Sequence, residues 1–389
     1  MKSILLHRKN TCFVKRQVPA KYAIPLLANL REMGYYYSII GSGVQMKKLT
    51  IETERKSELL FSDSIDEIIQ TIASAVSPHR IFIVTDTIVA PLFLNEIQAR
   101  FESCSVRCES VVLPDGEASK SPDGLAVIYH FLAEHSASRK AYILNLGGGM
   151  VSDLGGFAAA TYMRGISYIN IPTTLLGMVD SSIGGKTAIN FDGIKNLIGV
   201  FHSPAITAIC PKFLSTLPES ELRSGMGEII KYHMISDGMH SLPSSNASMT
   251  ELIENCCRIK KHYVELDEFD LGQRKILNFG HTFGHAFESG SGFTLSHGEA
   301  VGLGMLAVCR FGEQKGLTKA GASDAVLAAL SQAGLPTDYH AYAGAAVCEL
   351  EHDKKGDGAT IDMVFIKEIG KPMIMRIAVD EAKEFLLNV

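Results

Sequence analysis

The class of fold follows from residues 141–153, which read Ala-Tyr-Ile-Leu-Asn-Leu-Gly-Gly-Gly-Met-Val-Ser-Asp. The first six residues form an apolar run typical of a buried strand, and three glycines separate it from a second apolar run. Glycines at such a turn let backbone N–H groups approach a pyrophosphate at the start of a helix. Ser152 occupies the third glycine position of the G-x-G-x-x-G pattern, so the standard Rossmann fingerprint is not met. The segment therefore indicates either a phosphate- or dinucleotide-binding turn or a purely structural one.

Strands and helices alternate on both sides of this segment, which predicts a parallel α/β sheet. Strands are predicted at residues 48–53, 80–86 and 108–114, and helices at 65–72, 90–101 and 124–134. Beyond about residue 211 the pattern becomes helical, with helices predicted at 249–264, 282–289, 298–315 and 323–333 and a hairpin at 360–366 and 372–377. We therefore expect an α/β domain over residues 46–205 and a mostly α-helical domain over residues 206–389.

The charge of the chain is unevenly spread. Of 37 basic and 42 acidic residues, residues 1–45 hold seven basic ones and a single acid, Glu32, which leaves 30 basic and 41 acidic residues in the rest. A net acidic body argues against a nucleic-acid partner, and no apolar stretch reaches the roughly 18–20 residues of a membrane span. We interpret residues 1–45 as a basic extension that is either not native or disordered.

The eight cysteines form no C-x-x-C pair and no zinc-ribbon spacing. Several lie in apolar runs, where a free cysteine behaves as a small buried hydrophobe. This usage favours a reducing compartment, and we expect a cytoplasmic protein.

Residues 180–187, Asp-Ser-Ser-Ile-Gly-Gly-Lys-Thr, imitate a P-loop. Asp180 stands where that motif requires its first glycine, which excludes a P-loop nucleoside triphosphatase. Lys186 and Lys195 lie in glycine-rich, otherwise uncharged surroundings. They are candidates for anion binding, and the alternative is that they are solvated surface lysines.

A group of histidines suggests a metal site. Residues 278–285, Asn-Phe-Gly-His-Thr-Phe-Gly-His, place two histidines on one helical face, and His297 follows twelve residues later. Thr282 stands where the zincin motif H-E-x-x-H has glutamate, so a metalloprotease is excluded. A catalytic Zn²⁺ needs three N or O protein ligands and one open position. Two of the histidines and a carboxylate would supply them, with Glu228 as the candidate; otherwise the histidines are ordinary core or surface residues.

Taken together, these segments resemble the 3-dehydroquinate synthase family of sugar-phosphate cyclases. The resemblance covers residues 48–389 and rests on many blocks that occur in the family's order. The matching blocks are residues 113–121, 147–153, 161–165, 171–176, 179–187, 195–199, 228–232, 277–286 and 297–300.

The resemblance implies an α/β N-terminal NAD-binding domain and a mostly α-helical C-terminal metal-binding domain, with the active site in the cleft between them. It implies Zn²⁺ or Co²⁺ held by Glu228, His281 and His297, in agreement with the ligand set argued above. Because it begins near Lys48, we expect truncation to Met46 to leave activity intact. NAD contacts are implied at Asp86, Asp115, Gly116, Glu117, Lys120, Gly148, Gly149, Met150, Val151, Ser152, Asp153, Thr173, Thr174, Lys186, Lys195, Phe213, Leu214, Ser215 and Thr216.

The resemblance also implies a binding site for a sugar phosphate that carries a carboxylate. Arg164 would reach the phosphate from the neighbouring subunit of a homodimer, and His285 would transfer a proton. The remaining implied catalytic residues are Asp180, Lys186, Asn196, Lys231, Lys260, Arg274, Asn278 and Lys355.

The implied activity is the conversion of 3-deoxy-D-arabino-heptulosonate 7-phosphate to 3-dehydroquinate and phosphate, a step of the shikimate pathway. NAD⁺ would accept a hydride from the substrate, and the resulting NADH would return it within the same turnover. An amino-dehydroquinate synthase would look almost the same, and other sugar-phosphate cyclases are further alternatives. A metal-dependent polyol dehydrogenase is a more distant alternative, since it would release NADH.

Overall fold

The computed structural model describes residues 46–236, 248–352 and 360–388. The predicted extension over residues 1–45 and the predicted site residue Lys355 lie outside these ranges. No helix of the described residues is long and apolar enough to cross a membrane.

A seven-stranded sheet organises the first half of the chain. Its strands follow one another in space as β1-β2-β9-β6-β5-β3-β4, and all neighbours are parallel except β1 and β2. A separate antiparallel hairpin consists of β7 and β8. The strands are β1 (Lys47–Ile51), β2 (Ser57–Phe61), β3 (Ile81–Asp86), β4 (Cys108–Leu113), β5 (Tyr142–Gly147), β6 (Ser167–Pro172), β7 (Lys186–Phe191), β8 (Ile194–Phe201) and β9 (Ile206–Ile209).

The sheet is covered on both faces. In β3, Ile81 and Ile83 join one hydrophobic core, whereas Phe82 and Val84 join a second core on the opposite face, because successive strand side chains point to opposite faces. Ser64 and Ser121 cap two of the covering helices by accepting hydrogen bonds from backbone N–H groups. These helices are α1 (Ile65–Val76), α2 (Asn95–Ser103), α3 (Pro122–Glu134) and α4 (Gly149–Thr161).

The second half of the chain is mainly helical and includes the antiparallel hairpin of β10 (Thr360–Ile366) and β11 (Pro372–Ala378). Its residues, such as Leu252 and Phe287, belong to the same core as Ile81 and Ile83 of the sheet. The helices are α5 (Glu219–Ile235), α6 (Met249–Leu266), α7 (His281–Gly290), α8 (His297–Lys315), α9 (Ala322–Ala333), α10 (His340–His352) and α11 (Val379–Leu387).

Glycines allow the central helices of this half to cross at backbone contact. A Cβ on Gly298 of α8 would lie 1.7 Å from the carbonyl oxygen of Ser224 in α5. A Cβ on Gly304 of α8 would lie 2.0 Å from the carbonyl oxygen of Gly280, just before α7. Since real Cβ atoms do not approach so closely, larger residues at these positions would force the helices apart.

The predicted α/β class is confirmed, and the predicted strands and helices occur with shifts of a few residues at their ends. Strand β9 pairs in parallel with β2 and β6. The α/β layer therefore extends past the boundary predicted at residue 205. The pattern also missed β2, β6 and the β7–β8 hairpin as strands.

Candidate active site

Helix α5 carries a buried pair of opposite charges. Glu228 and Lys231 are 0% and 1% exposed and lie one helical turn apart, so that the ammonium group of Lys231 contacts the Glu228 carboxylate. Both Glu228 oxygens are buried, and neither accepts a well-aligned hydrogen bond from the described residues. A buried carboxylate left in this state is suited to a further positive partner.

Two histidines face this carboxylate, and a third, His285, lies beside them. His281 is the first residue of α7, His285 lies one turn later, and His297 is the first residue of α8. The Nε2 atoms of His281 and His297 lie 3.6 and 3.3 Å from Oε1 of Glu228. Ligand atoms of Glu228, His281 and His297 all fall within 4.8 Å of one another. The geometry thus brings together the three metal ligands predicted from the sequence.

The titration of these groups reflects burial opposed by neighbouring charges. Burial alone would raise the pKa of Glu228, but Lys231 and the imidazoles outweigh it and hold this pKa at about 2. Burial lowers the pKa of His281 well below its usual value. Burial also opposes the charged form of His297, yet Glu228 and Glu288 raise its pKa to about 9 in the absence of a metal. The Glu228 carboxylate is therefore ionised at neutral pH and available as a ligand.

Asp180 is the centre of a second charged cluster, on a π-helical turn at residues 177–181. Its carboxylate accepts a hydrogen bond of 2.7 Å from the Tyr232 hydroxyl, contacts the Lys260 ammonium and lies 3.7 Å from the Lys231 ammonium. Burial opposes ionisation, but Lys231 and Lys260 hold the pKa of Asp180 well below its usual value. Burial lowers the pKa of Lys260 despite this carboxylate.

A cleft of about 560 Å³ lies between the two halves of the chain and connects these clusters. Arg274 and Asn278 belong to a short 3₁₀ segment at residues 273–278, and the β7–β8 hairpin contributes the opposite wall. Asn196 on this hairpin has a left-handed backbone (φ 55°), which is uncommon outside glycine and favoured by asparagine. The predicted site residues that line the cleft are Asp153, Asp180, Lys186, Asn196, Lys231, Lys260, Arg274, Asn278 and His281.

The glycine turn after β5 adjoins the topological switch point of the sheet. From β3 the chain first adds β4 on one side and then β5 on the other, and ligands of α/β sheets bind at the carboxyl ends of strands at such a reversal. Gly148 and Gly149 open α4 there, and Cβ atoms on them would lie 3.1 Å from Thr174 and 3.2 Å from the Ser181 hydroxyl. That hydroxyl is buried without a hydrogen-bond partner among the described residues. Larger residues in this turn, which we call the glycine cradle, would crowd Thr174 and Ser181.

Several other predicted dinucleotide contacts are held in hydrogen bonds around this cradle. Lys120 donates to Asp153 over 2.6 Å and also contacts Asn196. Asp86 accepts from the backbone N–H groups of Ile88 and Val89. The carboxylates of Asp115 and Glu117 are the acceptors for the Thr87 hydroxyl and the Asn190 amide, and the Thr174 hydroxyl is the acceptor for the Gly177 N–H.

Some predicted site residues are not brought to the cleft. Phe213 and Leu214 are 1% and 4% exposed and pack in the core, so any ligand contact there falls to backbone atoms. Arg164 is exposed on the turn after α4 and does not line the cleft of its own chain. Met163 and Arg164 both have left-handed backbones, with φ of 51° and 70°.

Three residues of the site were missed from the sequence. Tyr232 supports Asp180, Asp270 pairs with Lys186, and Glu288 contacts both Lys195 and His297. For Glu288 a signal exists, because residues 281, 285 and 288 follow the i, i+4, i+7 spacing of one helical face.

Two family models cover most of this architecture. The 3-dehydroquinate synthase N-terminal model matches residues 110–224, and the 3-dehydroquinate synthase C-terminal model matches residues 225–356. The chain belongs to the 3-dehydroquinate synthase family. A relative from Streptococcus sanguinis, named 3-dehydroquinate synthase, is 42% identical over 320 residues, which cover 79% of this chain and 90% of that protein.

Solved structures of related cyclases share the fold of this family member. A 2-deoxy-scyllo-inosose synthase in complex with carbaglucose-6-phosphate, NAD⁺ and Co²⁺ superposes with a TM-score of 0.77 at 23% identity, covering 88% of this chain and 99% of that one. The 2-epi-5-epi-valiolone synthase of Streptomyces hygroscopicus, with NAD⁺ and Zn²⁺ bound, gives a TM-score of 0.75 at 25% identity, covering 90% and 99%. The predicted two-part fold is confirmed.

Proposed function

We propose that this protein is a 3-dehydroquinate synthase, which converts 3-deoxy-D-arabino-heptulosonate 7-phosphate to 3-dehydroquinate and phosphate. The observation that carries this proposal is one cleft in which Lys186, Lys231, Lys260 and Arg274 converge beside the triad of Glu228, His281 and His297. Four cations in a net acidic chain suit a substrate with both phosphate and carboxylate groups. The identity to relatives that bear this name supports the same assignment.

The residues present fit a divalent metal ion. Oε1 of Glu228 and the adjacent Nε2 atoms of His281 and His297 belong to one carboxylate and two imidazoles, a donor set typical of catalytic Zn²⁺ and available to Co²⁺. The three would hold the ion and leave a position open to the cleft. When bound, the ion supplies Lewis-acid polarisation of a substrate oxygen.

The glycine cradle fits the pyrophosphate of NAD⁺. Gly148 and Gly149 lie where a helix begins, and the first N–H groups of a helix have no intrahelical acceptor. The unpartnered Ser181 hydroxyl, which lies beside Gly149, is suited to a phosphate oxygen. When bound, the nicotinamide supplies reversible hydride transfer.

The chain's own groups would bind the substrate and move its protons. Lys231 and Lys260, which face the carboxylate of Asp180, would hold anionic substrate groups. Arg274, whose guanidinium also donates to the backbone carbonyls of Glu268 and Gly184, would add a further cation. Burial and the nearby His297 lower the pKa of His285, so its imidazole is neutral at neutral pH. An unprotonated ring nitrogen of His285 can then accept a proton from the substrate.

We further propose a cytoplasmic homodimer in which Arg164 serves the partner's cleft. In its support, Arg164 lies outside its own cleft on a strained turn, and strained backbone is common where a side chain is held for function. The seven cysteines of the described residues are free thiols, which suits a reducing compartment.

The experiment measures phosphate release from 3-deoxy-D-arabino-heptulosonate 7-phosphate by the protein loaded with NAD⁺ and Zn²⁺. Lys260→Met is the test variant, and Lys261→Met, at the adjacent position, is its matched control. Lys260 is buried in the cleft, whereas Lys261 forms a helix-surface pair with Glu265. We expect phosphate release by the parent, a loss in kcat/KM of about 10- to 100-fold in Lys260→Met, and little change in Lys261→Met, since hydrogen bonds to charged groups contribute about 1.5–3 kcal/mol. Failure of the loaded parent to release phosphate would overturn the proposal.

A further inference from the structure

Glu288 connects two parts of the molecule through its carboxylate. One oxygen, Oε1, accepts a hydrogen bond of 2.9 Å from the Lys195 ammonium on β8, and the other, Oε2, lies 3.4 Å from Nδ1 of His297. The Glu288 side chain is 14% exposed, whereas that of Lys195 is 43% exposed. The Lys195 ammonium also lies 4.2 Å from the centre of the Phe293 ring, which further limits its positions.

The two nitrogens of His297 face different carboxylates. Nε2 lies 3.3 Å from Oε1 of Glu228, on the side of the ligand triad, and Nδ1 faces Glu288. An imidazole that coordinates through one nitrogen carries its proton on the other, and an acceptor at that second nitrogen fixes both the tautomer and the ring orientation. Glu288 is the acceptor in the required position.

We propose that Glu288 is a positioning residue that orients His297 for metal binding, and that Lys195 holds Glu288 in place. The inference rests on the proposed metal at Glu228, His281 and His297. Nδ1–H of His297 donates to Glu288, so that the Nε2 lone pair points toward the triad. Because Lys195 belongs to the β7–β8 hairpin and His297 to the helical half, the hairpin contributes to the geometry of the metal site without supplying a ligand.

A second cation site is the competing explanation for the same atoms. Ligand atoms of His285, Glu288 and His297 also fall within 4.8 Å of one another. However, an imidazole that coordinates a metal through Nε2 carries its proton on Nδ1, the nitrogen of His297 that faces Glu288. With Nε2 as a ligand, His297 has no free lone pair for a second cation beside Glu288, which favours the positioning role.

Metal affinity tests the proposal directly. Apo protein is titrated with Zn²⁺ in competition with a chromophoric chelator, for the parent and for Glu288→Gln, Glu288→Ala and Lys195→Met. Glu381→Gln is the matched control. Like Glu288, Glu381 forms an ion pair with a lysine, in this case Lys315, but it does so at the surface of the helical half. We expect the Glu288 variants to bind Zn²⁺ about 10- to 100-fold more weakly. Lys195→Met should bind Zn²⁺ about two- to fivefold more weakly, because it loses only a half-exposed ion pair. Glu381→Gln should bind Zn²⁺ with the affinity of the parent.

The outcomes separate the inference from the proposed function. A parent that binds no Zn²⁺ contradicts the proposed metal site itself, whatever the variants do. A parent that binds one equivalent, with unchanged affinity in both Glu288 variants, contradicts the positioning role alone. A parent that binds two equivalents, one of which is lost in Glu288→Ala, contradicts it in favour of a second cation site.

A measurement on the parent keeps the test independent of variant folding. In Zn²⁺-loaded protein with ¹⁵N-labelled histidine, long-range ¹H–¹⁵N spectra report which nitrogen of His297 carries the proton. We expect the proton on Nδ1 and the metal on Nε2. Coordination through Nδ1 would overturn the proposal.

Discussion

At the scale of single residues, Asp180 joins three segments through one carboxylate. It lies on the π-helical turn after β6, accepts from Tyr232 of α5 and contacts Lys260 of α6. Burial disfavours an ionised carboxylate, and the neighbouring hydroxyl and ammonium groups compensate for this cost by hydrogen bonding and opposite charge. The cluster therefore supports the fold and holds in position two lysines that line the cleft.

Replacement of Tyr232 by Phe tests this support. It removes the hydroxyl that donates to Asp180 over 2.7 Å, and we expect the free energy of unfolding to fall by about 1.5–3 kcal/mol, as for hydrogen bonds to charged groups. Tyr129→Phe is the matched control, because its hydroxyl contacts Thr161 at an exposed position. Denaturant unfolding of both variants measures the difference, and equal losses would contradict the argument.

A pH-dependent contribution to stability is expected from His202. Burial, with Arg55 adding to it, lowers the pKa of His202 from its usual 6.5, and Nδ1 accepts from Arg55 over 2.6 Å. Below pH 6.5 the unfolded chain therefore binds a proton at His202 more readily than the folded chain does. The stability contributed by the neutral imidazole is complete above pH 6.5 and is lost as the pH falls below it.

The measurement is the free energy of unfolding of the parent and of His202→Gln as a function of pH. We expect the parent to lose more stability than the variant as the pH falls below 6.5. Identical slopes in that range would show that His202 does not titrate as the structure requires.

Helical spacing in the sequence predicts some of the site residues and misses others. His281 and His285 follow from helical spacing alone, and Glu288 continues the same spacing. Tyr232 gave no such signal, because its partner Asp180 is 52 positions away and the contact exists only once α5 packs against the turn after β6. Local periodicity predicts which residues share a face, and packing between elements decides which faces meet.

At the scale of elements, the crossing of α5 and α8 brings together two of the proposed metal ligands, Glu228 and His297. Gly227 precedes Glu228 and Gly298 follows His297, and a Cβ on either glycine would lie within 2.1 Å of backbone oxygen on the other helix. The absence of side chains at this crossing allows Glu228 and His297 to approach within 3.3 Å. The element contact thus sets the geometry of the site.

Gly298→Ala should separate these helices. We expect a loss of about 1–3 kcal/mol in the free energy of unfolding through overpacking, together with weaker Zn²⁺ binding. Gly344→Ala in α10 is the matched control, since its Cβ would meet nothing within 4 Å; it should be neutral or stabilising by up to about 1 kcal/mol. Unchanged stability and Zn²⁺ affinity in Gly298→Ala would contradict this role of the crossing.

There are physical reasons why the sequence patterns did not predict some of the strands. All eight residues of β8 are exposed, so the strand lacks the alternation of buried and exposed positions that marks a half-buried strand. Strand β9 has only four residues, and it is fixed by pairing with β2 and β6, which are distant in sequence. By contrast, β3 and β5 are short, mainly apolar runs beside turn residues and were predicted.

At the scale of the whole molecule, one hydrophobic core extends from the sheet into the helical half. Metal bound at Glu228, His281 and His297 would therefore stabilise the molecule as a unit, because it binds only the folded chain. The same continuity places the glycine cradle, the cation cluster and the triad around a single cleft.

Metal removal tests this linkage. We expect free Zn²⁺ at a hundred times its Kd to raise the free energy of unfolding by about 2.7 kcal/mol over chelator-treated protein. His281→Ala should show no such rise and should retain no metal, with turnover reduced at least about a hundredfold. Calorimetry at matched Zn²⁺ concentrations measures the effect, and an equal rise in the variant would indicate binding elsewhere.

The most direct test of the function is to follow phosphate and NADH together while the NAD⁺- and Zn²⁺-loaded protein consumes 3-deoxy-D-arabino-heptulosonate 7-phosphate. A 3-dehydroquinate synthase returns its hydride within each turnover, so phosphate should be released in proportion to substrate consumed while NADH does not accumulate. NADH accumulation without phosphate release would contradict this account and indicate a dehydrogenase.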